Sequence, residues 1–188
     1  SKLESLFDEM DKNKLAHGDV SDMTSHDIDF SGVTFRYEEG ADVLTDFSLK
    51  LESGKKYALV GSSGSGKSTI AKLISGFYPV SSGELKIGGV DISKYKRETL
   101  EHEIAFVFQN AKLFKTSIYE NVKIGRPDAS REEVIKALDL AMCGSILDKF
   151  EMREDTIIGA KGVHLSGGET QRIAIARAIL KDAPIIIL

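Results

Sequence analysis

The run Gly61-Ser-Ser-Gly-Ser-Gly-Lys-Ser-Thr69 constrains this chain more than any other segment. Glycines at 61, 64 and 66 permit positive φ and let backbone approach a ligand closely. A loop of that kind turns successive N–H groups inward and forms a nest for an anion. The short apolar run Tyr57-Ala-Leu-Val60 precedes it, which predicts a strand leading straight into the loop. A helix is expected after it, closed by Gly76 and barred from continuing by Pro79. The start of that helix adds the positive end of its dipole. Chance alone yields such a pattern in on the order of one chain in a hundred of this size. A flexible linker, the plainest alternative, would not carry Lys-Ser-Thr beside an apolar flank.

The chemistry that follows is nucleoside triphosphate binding. Gly61, Ser62, Ser63, Gly64, Ser65, Gly66, Lys67, Ser68 and Thr69 are all candidates for contact with the nucleotide. Lys67 is expected to reach the β- and γ-phosphates, Ser68 to offer its hydroxyl to Mg²⁺, and Thr69 to support the α-phosphate side.

Around the loop, the periodicity changes from strand-like to helical. Val33, Phe35 and Tyr37 alternate, as do Phe47, Leu49 and Leu51, with a turn expected around Glu38 to Asp42. Gly88-Gly89 between two apolar runs in 84–92 signals a hairpin. Ile104 to Phe108 is a strand candidate that ends at Gln109, and Ala183 to Leu188 reads as a final buried strand. Ser130 with Glu133 spells a capping box, with Val134, Leu138 and Ala141 on one helical face. Ser166 with Glu169 spells a second, opening a helix to about Leu180. The expected fold is a three-part α/β domain. A mostly parallel sheet surrounds the loop, an antiparallel layer comes from 28–60 and 84–92, and a helical lobe comes from 115–165.

Bulk properties exclude several classes. The 188 residues suffice for one domain with a real core, and 41% hydrophobic with 29% charged residues is ordinary for a globular protein. A net charge of −4 gives no footprint for nucleic acid. Cys143 is the single cysteine, so no disulfide framework is possible and a reducing setting fits; packing is its plainer role. No run reaches the eighteen or so apolar residues of a membrane span. Ser1 opens the chain and Met10 is its first methionine, so the sequence reads as a piece excised from a longer protein. Leu3, Leu6, Phe7 and Met10 form one stripe of a short helix, followed by a polar linker from Asp11 to Asp27.

The second diagnostic run is Leu165-Ser166-Gly167-Gly168-Glu169, whose first residue follows Lys67 by 98 positions. Two glycines and a hydroxyl at a helix start make a second anion site, which one nucleotide does not need. With both motifs at this separation, from about Ile28 onward the chain resembles the nucleotide-binding domain of an ABC transporter. That resemblance implies a P-loop NTPase (RecA-like) core with an antiparallel β subdomain and an α-helical subdomain. It implies ATP and Mg²⁺ as ligands and a second such domain packed head to tail. Leu165 to Glu169 would then close over the γ-phosphate held by the partner. Glu169 stands where that family usually has Gln, and helix capping explains it at least as well as nucleotide contact. Glu also occurs there in chromosome-maintenance and repair ATPases, but the 98-residue spacing leaves no room for their long coiled coil.

The resemblance also implies that Tyr37 stacks on adenine and that Gln109 touches Mg²⁺ and the attacking water. Leu113-Phe114 and Thr116 to Asn121 match exporter-type members, which implies a transmembrane-domain partner and a place on the cytoplasmic face of a membrane; the excised piece itself would be soluble. Ala160 replaces a glutamate usual in exporters near the membrane-domain contact, and His164 beside it reads as a surface residue. The family's magnesium-binding aspartate and catalytic glutamate would follow Leu188. ATP hydrolysis is therefore expected of the intact protein and not of these 188 residues alone. Two other readings stay open: a soluble ABC ATPase of translation or repair, and a regulatory module that binds ATP without turnover.

Overall fold

A computed structural model describes residues 14–38, 40–159 and 162–188. The Leu3–Met10 stripe and Ala160 lie outside these. The chain forms two compact units, one up to Glu103 and one from Ile104 on.

The first unit is built on a four-stranded antiparallel sheet. It contains β1 (Ile28–Phe35), β2 (Leu44–Leu51), β3 (Ser82–Ile87) and β4 (Val90–Asp91), in the order β2-β1-β3-β4. Central β1 buries Ile28 and Phe30, then Val33 and Phe35, so its inward positions skip one step of the alternation. A bulge explains the skip. Phe30 pairs with Leu49 and Val33 with Phe47, three residues against two, and Gly32 takes φ +57° within it. The extra residue returns both halves of the strand to one face. Phe47, Leu49 and Leu51 lie half-buried along β2, as their alternation predicts.

Gly88 and Gly89 form the two-residue turn between β3 and β4, with φ of +60° and +78°. Positive φ at both positions is what a tight hairpin of matching twist requires, and glycine adopts it without strain. Helix α1 (Lys67–Ile74) buries Thr69, Ile70, Leu73 and Ile74. Helix α2 (Arg97–Glu103) buries Thr99 and Leu100. The stretch read as a linker is fastened in part: Gly18 N–H donates to Tyr95 O, Val20 N–H to Lys94 O, and Lys96 N–H to Val20 O.

The expected strand Tyr57–Val60 is not formed. Val60 is 92% exposed and Tyr57 48%, and no ladder among the described residues includes them. An apolar run becomes a parallel strand only where another strand lies beside it to take its N–H and C=O groups. The antiparallel layer accordingly ends at Leu51, and the loop follows irregular backbone.

The second unit joins a parallel pair to a helical lobe. Strands β5 (Ile104–Phe106) and β6 (Ile185–Ile187) pair in register, and Val107 N–H extends the ladder to Ile187 O. Isolated bridges aside, this is the parallel pair of strands among the described residues, narrower than the mostly parallel sheet expected. Helices α3 (Ile118–Lys123), α4 (Arg131–Leu140) and α5 (Gly144–Leu147) make the lobe. The Ser130–Glu133 capping box is present in both directions, as its spelling predicts.

Helix α6 (Gly167–Lys181) organises this unit by burying two stripes. Ile173, Ala176 and Leu180 pack into the helical lobe with Ile118, Val122 and Leu138. Ala174 and Ala178 pack with Ala105 and Val107 of the strand side. Alanines let a helix backbone approach a sheet, while full burial of Ile173 stabilises by roughly 1.5–3 kcal/mol. Arg177, between the stripes, donates from Nε to Asn121 O at 2.8 Å and from Nη2 to Asn121 Oδ1 at 3.1 Å. Asn121 is fully buried, and its side chain in turn bonds the N–H and C=O of Phe114. The exporter-like segment is thereby tied to α6. Burial pushes the Arg177 guanidinium below the usual arginine range, and its hydrogen bonds to Asn121 compensate part of that desolvation.

Candidate nucleotide-binding site

Residues 61–65 form an exposed loop that turns at buried Gly66 into α1. The Gly66 φ of +87° belongs to the left-handed region, and a Cβ there would come within 2.9 Å of Leu44 Cδ2. At Gly61 a Cβ would meet Ser65 Oγ at 2.5 Å. At Gly66 the left-handed backbone favours glycine, while at Gly61 a side chain would need the exposed Ser65 hydroxyl to turn aside. Gly64 differs: its φ is +81°, and nothing lies within 4 Å of an added Cβ. The backbone there faces open space where a ligand can approach. Ser62, Ser63 and Ser65 are exposed beside it.

The Lys67 ammonium bends back over the loop. It donates to Gly61 O at 2.8 Å, Ser62 O at 2.7 Å and Ser65 Oγ at 3.3 Å. A fixed cation, left-handed glycines and a helix N-terminus thus converge on one loop, and all three favour a polyanion. Ser68 is exposed in the first turn, whereas Thr69 is buried to 5%. The Thr69 hydroxyl lies 3.0 Å from that of Tyr37. The structure therefore brings together two residues named independently from the sequence. Phe35 and Tyr78 pack edge-on to the Tyr37 ring, with centroids at 4.8 and 5.3 Å.

The other named residues belong to the second unit. Gln109 is exposed in the turn just past β5, at the carboxyl end of a parallel strand, where α/β sheets commonly bind ligands. Leu165 packs against the helical core, and Ser166, Gly167 and Gly168 are exposed at the start of α6. Ser166 Oγ accepts from Glu169 N–H, and Glu169 Oε2 accepts from Ser166 N–H at 2.8 Å, closing the expected capping box. Glu169 also pairs with Lys149, a contact twenty residues distant that no local pattern announces. Gly167 and Gly168 have neither positive φ nor any atom within 4 Å of an added Cβ. Nothing among the described residues requires glycine at either place. His164 is exposed, as expected of a surface residue, and Cys143 is wholly buried, where desolvation pushes its thiol up to about 11.

Comparison with known proteins decides the family. The ABC transporter family model matches residues 44–188. The chain belongs to the ABC transporter family. It carries the P-loop NTPase fold that the two sequence motifs implied. The ATP-dependent lipid A-core flippase of Escherichia coli K12 is 44% identical over 172 residues, covering 90% of this chain and 29% of the flippase. The protein of that name from Legionella pneumophila strain Lens is 44% identical over 169 residues, again 90% of this chain and 29% of its own. A solved bacterial Atm1-family ABC exporter with ATP bound superposes with a TM-score of 0.87 at 34% identity, covering 98% of this chain and 33% of the exporter chain. The chain thus spans under a third of the length of these curated relatives. No described helix is long and apolar enough to cross a membrane.

The glutamate at 169 has a measurable consequence. Lys149 and the Ser166 N–H hold the Glu169 carboxylate down to about 2, from an ordinary value of 4.5. A depressed carboxylate contributes stability in full above its unfolded value, and that contribution fades as pH falls toward the folded one. The Glu169→Gln variant keeps a capping oxygen but loses the charge. Its stability deficit is expected to be constant above about pH 5 and to shrink between pH 4.5 and 2, as read by thermal melts. A deficit unchanged down to pH 2 would show that the charge plays no part.

Proposed function

We propose that this chain binds Mg-ATP, as the nucleotide-binding domain of an ABC exporter. The carrying observation is the loop 61–69, with left-handed glycines at 64 and 66, open space at 64, and the Lys67 ammonium folded back over it. The triphosphate lies along the loop N–H groups and α1, with Lys67 neutralising the β- and γ-phosphates. Ser68 and phosphate oxygens hold Mg²⁺, whose chemistry is to offset charge on the phosphates. Both are hard oxygen donors, which suits that ion. Tyr37 stacks on the base.

Ser166, Gly167 and Gly168 meet the nucleotide of a second domain arranged head to tail. Support comes from the two exposed glycines that no contact among the described residues explains. ATP-driven closure of that pair powers transport by a transmembrane domain, with this domain on the cytoplasmic face. Gln109 orients water in the closed pair, so hydrolysis belongs to the paired, intact protein. Exposed Phe108 and Phe114, at 51% and 60%, line a groove of about 610 Å³ in the second unit that suits an apolar partner segment. The flippase and exporter relatives support this direction of transport.

Base stacking is the part most easily tested alone. Tyr37→Ala is expected to weaken ATP and GTP alike, by about 0.5–1.5 kcal/mol, because stacking reads a π-face. Calorimetric titration of both nucleotides checks this. A loss confined to one nucleotide, or none, would remove Tyr37 from the site.

A further inference from the structure

Tyr37 sits beyond the end of β1 in irregular backbone, next to Glu38 at φ +38°. A side chain in such a place is free to rotate unless its neighbours hold it, and ordering it on binding costs affinity. Four neighbours hold it here. Phe35 is a core residue at 3% exposure, and Thr69 belongs to the phosphate loop. The remaining two lie outside both. Tyr78 packs at 5.3 Å with its plane at 89° to that of Tyr37. The Lys72 ammonium stands over the Tyr37 ring at 5.6 Å from its centroid. Lys72 lies three residues after Thr69 on α1, hence on the same helix face. One face of α1 therefore grips the Tyr37 hydroxyl through Thr69 and its ring through Lys72.

We propose that Lys72 and Tyr78 are positioning residues for the nucleobase: they fix the Tyr37 ring beside α1 and set how tightly base, rather than phosphate, is held. This rests on the nucleotide-binding reading above. A cation at this distance from a tyrosine ring attracts it through the ring quadrupole, and perpendicular aromatic packing adds to the hold. Phosphate binding uses the loop backbone and Lys67, which neither residue touches in the contacts described.

The test pairs ATP with inorganic tripolyphosphate, which has the phosphates and lacks the base, both with Mg²⁺ and titrated by calorimetry into the chain. Lys72→Met is expected to weaken ATP about three- to fivefold, the scale of one cation–π contact, and to leave tripolyphosphate unchanged. Lys72→Arg, which keeps a cation, restores ATP affinity. Tyr78→Leu weakens ATP selectively and Tyr78→Phe does not, since the ring is what packs. If Lys72→Met and Tyr78→Leu bind ATP as tightly as the wild type, or lose ATP and tripolyphosphate in proportion, the positioning role is wrong. A proportional loss would mean that Lys72 acts through its charge on the phosphates. A wild-type chain that binds neither ligand would instead overturn the nucleotide-binding reading itself.

Discussion

Lys67→Ala is expected to weaken Mg-ATP binding by about 1.5–3 kcal/mol, roughly ten- to 150-fold, because a charge-assisted contact to phosphate is removed. The substitution leaves the fold intact, since among the described residues the Lys67 ammonium bonds the exposed loop at Gly61, Ser62 and Ser65. Loss of those three bonds loosens the loop as well, so the effect includes some lost preorganisation. The measurement is a calorimetric titration of variant and wild type under one buffer condition. Equal affinities would show that the triphosphate lies elsewhere.

Gly168→Asp is expected to lower steady-state ATPase turnover of the intact, paired protein roughly 10²–10³-fold, the scale of losing one transition-state charge contact. ATP affinity measured on a single domain should change less than about twofold, as for a surface substitution clear of the ligand. Two structural facts make this separation possible. An added Cβ at 168 meets nothing within 4 Å, and the backbone there has no positive φ, so the chain tolerates a side chain. A carboxylate in the first turn of α6 even suits the helix dipole. The same carboxylate facing a partner's γ-phosphate is repulsive, and only in the closed pair. Turnover equal to wild type would remove this segment from the partner's nucleotide, and unfolding of the variant would contradict the open space around residue 168.

Features encoded over three or four residues were legible in the sequence. Both capping boxes form between residues three apart, so Ser130–Glu133 and Ser166–Glu169 could be read without the fold. Gly88-Gly89 announced its turn for the same reason. The phosphate loop was legible because glycine, lysine and hydroxyl residues are needed there in a fixed order.

What failed depended on partners distant along the chain. Tyr57–Val60 has the composition of a buried strand, but composition cannot supply the neighbouring strand that its backbone needs. The bulge at Gly32 was hidden, although the alternation of Val33, Phe35 and Tyr37 after it was plain. Lys149 beneath Glu169 and Arg177 beneath Asn121 are separated by 20 and 56 residues, and charged side chains carry no sequence mark of their partner. The Tyr37–Thr69 contact joins two residues that had been assigned to the base and to the α-phosphate of one nucleotide. Lys72 could have been suspected, since it falls on the same face of α1 as Thr69.

Amide chemical shifts recorded while Mg-ATP is titrated into the chain test nucleotide binding at this loop most directly. The largest shifts are expected at the backbone amides of residues 61–69, led by Gly64, Gly66 and Lys67, with the ring signals of Tyr37 moving at the same ATP concentrations. Saturating Mg-ATP that leaves those amides in place, or shifts residues of the second unit alone, would contradict it.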